Sequence, residues 1–246
     1  MTPSDIATAS EEWLIDLCHK AEREGGMIGG HKYGDKVIKI SDDIAAKYGS
    51  VQASEAITQE FAFNNVDRSI VHIPMVYSFI KSSHQSAHSR GYLFMEYVHG
   101  QNLNDIDLKM HQDIPSRVAN ILAHLGQIVG PTSVPGPIGG GEPLGYIFGD
   151  DGAKTTFTSI EDMNVYMNKR LKYRNDSIDL MTYPPVLCHG DICRRNIILE
   201  TDGSLCFVDW GYSGLYPRFF ELATLSCVLP YDAALRNPSN MNWRKH

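Results

Sequence analysis

The sequence predicts an α+β fold, on three observations. Up to residue 98, strand-like and helical runs alternate in the order strand, helix, strand, strand, which gives a small mixed lobe. After Gly100 the character changes, and residues 113–129 carry a long helical apolar stripe. Later, two short apolar runs flank Asp202-Gly203, a strong hairpin signal.

Residues 4–24 read as a helix, with Trp13, Leu14, Leu17 and Ala21 on one stripe. The glycines of EGGMIGGHKYGDK break it, and Val37 to Ile40 read as a strand after a Gly34-Asp35 turn. Residues 53–64 follow as a helix, with Ser54 as the candidate N-cap and Ile57 and Phe61 four apart. IPMVYSFI (73–80) and GYLFMEYV (91–98) form a strand pair around the polar turn SSHQSAHSR (82–90). Residues 1–98 thus make one lobe and 99–246 a second. In the second, Ile114, Val118, Ile121, Leu122, Leu125 and Val129 mark the apolar side of the long helix. The run GPTSVPGPIGGGEPLG (130–145) is expected to be a surface loop. No strand directly precedes its glycines and no Gly-Lys-Ser/Thr follows, so it is not a phosphate loop. Residues 159–173 read as a further helix, and no internal repeat is present.

With 246 residues, 43% hydrophobic and 21% charged, the chain has the composition of a soluble globular protein with one large domain or two closely joined lobes. A net charge of -7 argues against nucleic acid as a partner and fits a cationic or neutral small substrate. Cys18, Cys188, Cys193, Cys206 and Cys227 are odd in number and form no C-x-x-C pair, as expected of free thiols in a reducing compartment. The start MTPSDIATASEEW lacks the apolar core of a signal peptide, and no run of 18 apolar residues occurs. The expectation is a cytoplasmic protein with no membrane partner; the oligomeric state is left open.

The informative stretch is VLCHGDICRRNIILETDGSLCFVDW (186–210). If Asp202 and Gly203 are the two loop residues, paired positions place Asn196 opposite Asp209 on one face of the hairpin. An amide oxygen and a carboxylate so placed could hold one hard divalent cation such as Mg2+. Asp191 stands five residues before Asn196, the D-x-x-x-x-N spacing of a kinase catalytic loop, where the Asp orients the attacking hydroxyl and accepts its proton. His189 has no second His at ligand spacing and is expected to brace the loop.

These residues, His189-Gly190-Asp191, Asn196 and Val208-Asp209-Trp210, resemble the aminoglycoside phosphotransferase family, within the choline-kinase and protein-kinase-like superfold. GLYPRFFELA (214–223) resembles the G-x-Y-P-x-x-x-E segment of its fungal branch. Upstream, KVIKI resembles the strand with the phosphate-contacting lysine, EAITQEF the helix with its ion-pair partner, and IPMVYSF with LFMEYVHGQNL the strands leading to an interlobe hinge.

The resemblance implies a bilobal protein-kinase-like fold with ATP or GTP between the lobes. Residues 1–98 would be the nucleotide-covering N-lobe. Residues 99–246 would be a mainly helical C-lobe holding the catalytic loop, the metal-site hairpin and the substrate site. Lys39 would contact the α/β-phosphates and pair with Glu55, with Lys36 and Glu60 as alternatives. The backbone at Glu96 and Val98 would bind the adenine edge, Asp191 would be the base, and Asn196 and Asp209 would hold Mg2+. The implied function is transfer of the γ-phosphate to a hydroxyl of a small-molecule acceptor. A catalytically inactive binding protein of the same fold, or other chemistry in the cleft, is the alternative. Protein kinase activity is disfavoured, because the loop reads H-G-D and no A-P-E follows.

Overall fold

A computed structural model describes residues 1–31, 34–82, 90–149 and 151–225. Most of the polar turn at 82–90, and Cys227, lie outside the described residues. The first part is an antiparallel five-stranded sheet, in the order β1-β2-β3-β5-β4. Its strands are β1 (Met27–Gly30), β2 (Lys36–Lys39), β3 (Ile44–Gly49), β4 (Val76–Ser82) and β5 (Arg90–Glu96).

The expected first helix is two helices, α1 (Pro3–Thr8) and α2 (Glu11–Arg23). Ser10 sits between them in extended conformation and its side chain accepts the Trp13 N–H, which starts a new helix. The buried stripe of α2 is Leu14, Ile15 and Cys18, packed on Ile38, Ala46 and Phe94 of the sheet, while Trp13 points to solvent.

Strand β3 was not anticipated. Ala-Ala-Lys has weak strand preference, so IAAKYG carries little local signal. Its side chains nevertheless alternate. Ile44, Ala46 and Tyr48 pack under α2, whereas Ala45 packs on the other face with Val51, Ala56 and Leu93. Lys47 shares that second face, the one covered by α3 (Ala53–Asn65). Helix α3 starts at Gln52 without a side-chain cap, so Ser54 does not serve as one. Its buried face is Glu55, Ala56, Thr58, Gln59 and Ala62, and Ile57 is exposed.

The rest of the chain contains β6 (Gly100–Asn102), α4 (Ile114–Leu125), α5 (Ile160–Leu171), β7 (Pro185–Cys188), β8 (Ile197–Glu200), β9 (Leu205–Phe207), β10 (Gly214–Pro217) and α6 (Phe219–Leu225). They include two small sheets, β6-β8-β9 and β10-β7. Helix α4 buries Ile114, Val118, Ile121, Leu122 and Leu125 as the periodicity predicts, against Leu187, Ile197, Phe207 and Trp210. It ends at Gly126, so Val129 lies beyond it and is exposed. The glycine-rich loop is exposed at 131–134 and 139–142, as expected of a surface loop, and it also packs on α3. Gly139, with φ 88°, comes so close to α3 that an added Cβ would lie 2.5 Å from Ile57 Cδ1, and Ile138 N–H donates to Thr58 Oγ1.

The two parts are stitched by backbone. His72 N–H donates to Leu205 O and Phe207 N–H to His72 O, both at 3.0 Å, so the segment before β4 runs beside β9. Among the described residues, no helix is long and apolar enough to cross a membrane.

Candidate active site

Strand β7 delivers His189, Gly190 and Asp191 to the junction of the two parts. His189 is buried against Phe207 and Trp210. Its Nδ1 accepts the Asp191 N–H, which leaves Nε2–H to donate to Val208 O at 3.0 Å. Burial lowers its pKa to about 4, so the ring is a neutral brace. From α6, the Glu221 carboxylate accepts the N–H groups of His189 and Gly190, the latter at 3.1 Å. Burial pushes that carboxyl up to about 7. Arg194 is spent on structure, its guanidinium donating to the carbonyls of Leu103 and Ile106.

Asp191 is buried, and both its carboxylate oxygens accept from Arg195 Nη2, at 2.9 and 2.8 Å. Asn196 Nδ2 donates to the Asp191 side chain and to its backbone carbonyl, each at 2.9 Å. Burial pushes the Asp191 carboxyl up, and Arg195 opposes this.

The expected register between Asn196 and Asp209 is corrected. Ile197 pairs with Phe207, Ile198 with Cys206 and Leu199 with Leu205, one position away from the predicted pairing. The loop holds three residues rather than two. Glu200 N–H closes it onto Ser204 O, Asp202 Oδ1 accepts the Ser204 N–H, and Gly203 takes φ 88°. Asn196 is therefore not a ladder partner of Asp209. It ends a turn at Arg194–Asn196, and its carbonyl accepts the Val208 N–H. Asp209 follows with φ 66°, a left-handed kink that ends the strand direction.

The expected Lys39–Glu55 pair is also corrected. Lys39 Nζ pairs with Asp42 at 2.9 Å and lies over the Tyr97 ring. Lys36, the alternative, pairs with Glu22. The partner of Glu55 is Lys47, at 2.6 Å, and the same Nζ reaches Asp209 Oδ1 at 2.9 Å. A one-residue alternation decides this: Lys47 is on the α3 face of β3, and Glu55 is on the buried face of α3. Burial works against the Lys47 charge, but the two carboxylates outweigh it and hold its pKa above the ordinary value. Burial likewise opposes ionisation of Asp209, and Lys47 reverses it, lowering the carboxyl's pKa. Lys47 thus ties β3 and α3 to the segment after β9. Its one signal in the sequence was a lysine in an otherwise apolar run, eight residues before Glu55.

Glu96 ends β5. Its side chain accepts from the Met75 N–H and meets the His72 ring, and its N–H donates to Met75 O. Val98 is buried, and its backbone makes no hydrogen bond among the described residues. Two groups suit a hard cation. Asn196 gives its amide protons to Asp191, and its Oδ1 accepts no hydrogen bond among the described residues. The Asp209 side chain is 45% exposed. Both offer oxygen, the donor that Mg2+ prefers.

The model of the phosphotransferase enzyme family matches residues 31–245. Ethanolamine kinase 2 of Mus musculus is 30% identical over 57 residues, 23% of this chain and only 15% of that protein's length. Among solved structures, aminoglycoside phosphotransferase APH(4)-Ia superposes with a TM-score of 0.57 at 12% identity, covering 93% of this chain and 81% of that one. An F108L mutant of an aminoglycoside 2′-phosphotransferase, solved with GDP, superposes at 0.54 and 13% identity, covering 96% and 83%. Spectinomycin phosphotransferase with ADP and spectinomycin superposes at 0.52 and 12% identity, covering 87% and 70%. At such identities the superpositions establish the kinase-like fold, and the family match spans most of the chain. The chain therefore belongs to the phosphotransferase enzyme family, with the α+β kinase-like fold of the aminoglycoside phosphotransferases.

Proposed function

We propose that the chain transfers the γ-phosphate of ATP or GTP to a hydroxyl of a small molecule. The observation that carries this reading is Lys47 held between Glu55 and Asp209. An ammonium fixed by a helix carboxylate is set to bridge α- and β-phosphates, and a carboxylate beside it is set to hold a metal. Residues 1–98 would cover the nucleotide, with its base against the backbone at Glu96 and Val98. Residues 99–246 would carry the catalytic loop and the acceptor.

Asn196 and Asp209 would hold Mg2+, which supplies neutralisation of the phosphate charge when bound. Asp191 orients the acceptor hydroxyl and takes its proton. The acceptor oxygen bonds to the γ-phosphorus as the bond to the β-phosphate oxygen breaks. His189 and Glu221 hold the loop rigid, which matters because positioning supplies most of the catalysis in such transfers. Beside the loop, a pocket lined by Tyr146, Phe148, Tyr212, Tyr216 and Phe220 borders Gly190, and the Tyr216 hydroxyl is buried there without a partner among the described residues. The related proteins named above are kinases of an amino alcohol and of aminoglycosides, and a small hydroxyl-bearing acceptor is the class they share.

The test is transfer of γ-labelled ATP or GTP, with Mg2+, to a panel of small alcohols and to water. Wild type should transfer label, and Asp191→Asn should cut the rate by about 10²–10⁴-fold, the range for a positioned base. Affinity for the nucleotide should change by less than about threefold. Full activity in Asp191→Asn would remove Asp191 from the mechanism.

A further inference from the structure

The catalytic loop carries a cation that the scheme above leaves unused. Arg195 lies four residues after Asp191, is about half exposed, and grips Asp191 through Nη2 alone. The same nitrogen meets the Tyr146 hydroxyl at 3.2 Å, so all three contacts use one nitrogen of the guanidinium. Among the described residues, Nε and Nη1 make no hydrogen bond. Resting on the phosphotransfer reading, we propose that Arg195 leaves Asp191 when nucleotide binds and clamps the transferring phosphoryl group.

Two arguments carry this. The first is occupancy. An acceptor hydroxyl needs a free lone pair on Asp191, yet both oxygens accept from Arg195, Oδ2 also from Asn196 and Oδ1 also from the Cys193 thiol at 3.7 Å, which engages all four lone-pair sites of the carboxylate. The guanidinium must give up at least one of these contacts before the hydroxyl can dock. A phosphoryl group offers it more negative charge than one carboxylate, and its oxygens match the two-pronged geometry of a guanidinium. The unengaged Nε and Nη1 are available for that contact.

The second argument concerns the other cations around the loop. Lys47 is buried and shared by Glu55 and Asp209. Arg194 is fixed on the carbonyls of Leu103 and Ile106. His189 is neutral. Arg195 is the cation in the 189–196 segment with an exposed, partly unengaged head. In the transfer it neither gives nor takes a proton. The acceptor O–P bond forms, the P–O bond to the β-phosphate breaks, the hydroxyl proton goes to Asp191, and Arg195 neutralises the oxygens in flight. A charge held on the transferring group in this way is worth about 10²–10³-fold in rate.

The rival role is that Arg195 only positions Asp191, and a double-mutant cycle separates the two. Single-turnover hydrolysis of Mg2+-ATP without acceptor is measured for wild type, Arg195→Gln, Asp191→Asn and the double variant, with melting temperatures as a folding check. Arg195→Gln should slow hydrolysis by about 10²–10³-fold. Its affinity for Mg2+-ADP, which lacks the transferring group, should stay within about threefold. In the Asp191→Asn background the same substitution should still cost at least about tenfold. Added guanidinium ion should rescue Arg195→Ala in part, which guards against a variant that merely folds poorly.

If the cost disappears in the Asp191→Asn background, Arg195 acts only through Asp191 and the proposal is overturned. Wild-type rates in Arg195→Gln overturn it equally, and both results leave the phosphotransfer reading intact. A wild type that neither binds nor hydrolyses either nucleotide overturns that reading and this proposal with it.

Discussion

Lys47 places one ammonium against two carboxylates in a site that is almost dry on the Glu55 side. Removing the charge leaves Glu55 buried and unpaired, which costs about 3–5 kcal/mol in comparable sites. Lys47→Met should therefore lower stability by about that much in urea unfolding and abolish turnover. Lys39→Met breaks a surface pair with Asp42 and a contact over the Tyr97 ring, so it should change stability by about 1 kcal/mol and leave turnover near wild type. Loss of turnover in Lys39→Met with a fully active Lys47→Met would reverse the assignment. The same residues show what was legible. H-G-D, Asn196 and V-D-W stood out because polar types at fixed spacing are rare in apolar runs. Lys47 did not, because Ala-Ala-Lys reads as neither strand nor helix until β5 pairs with it. Arg195 was equally silent, and Glu221 was marked only as the closing residue of the G-x-Y-P-x-x-x-E resemblance: their roles depend on contacts with Asp191 and the 189–190 backbone that no spacing encodes.

At the scale of elements, the β4–β5 pair, α4 and the β8–β9 hairpin were read from periodicity and turn residues. The hairpin register was missed by one residue, because Asp-Gly also suits a three-residue loop whose last residue is left-handed. The break between α1 and α2 depended on one cap at Ser10. A pH effect belongs at this scale, since His72 joins three elements. Its ring lies between Glu96 of β5 at 3.2 Å and Glu200 of β8 at 2.8 Å. The hydrogen bond to Glu96, helped by Glu200 and opposed by burial, raises its pKa from 6.5 to about 9. The folded state thus holds the proton more tightly, and the resulting stability is complete below pH 6.5 and lost as pH rises through about 9. Across that window the melting temperature of wild type should fall more steeply than that of His72→Gln. Parallel curves would show that the ring is not charged between the two carboxylates.

For the whole molecule, composition and patterning gave an α+β fold class, and the superpositions agree with that class. The contacts that make two parts into one site were not legible, because they join residues far apart in sequence: Lys47 with Asp209, His72 with Glu200, Ile57 with Gly139. The first of them joins the two parts at the site that is proposed to bind a nucleotide with its metal. A ligand that binds only the folded state raises its stability by RT ln(1 + [L]/Kd), whatever the acceptor is. The direct measurement is therefore the melting temperature of the full chain with ATP or GTP, with and without Mg2+, for wild type and Asp209→Asn. One nucleotide should raise the wild-type value, Mg2+ should enlarge the shift, and the Mg2+-dependent part should shrink in Asp209→Asn. No shift in wild type with either nucleotide at saturating concentration rules out nucleotide binding by the chain, and a Mg2+-dependent shift unchanged in Asp209→Asn removes Asp209 from the metal site.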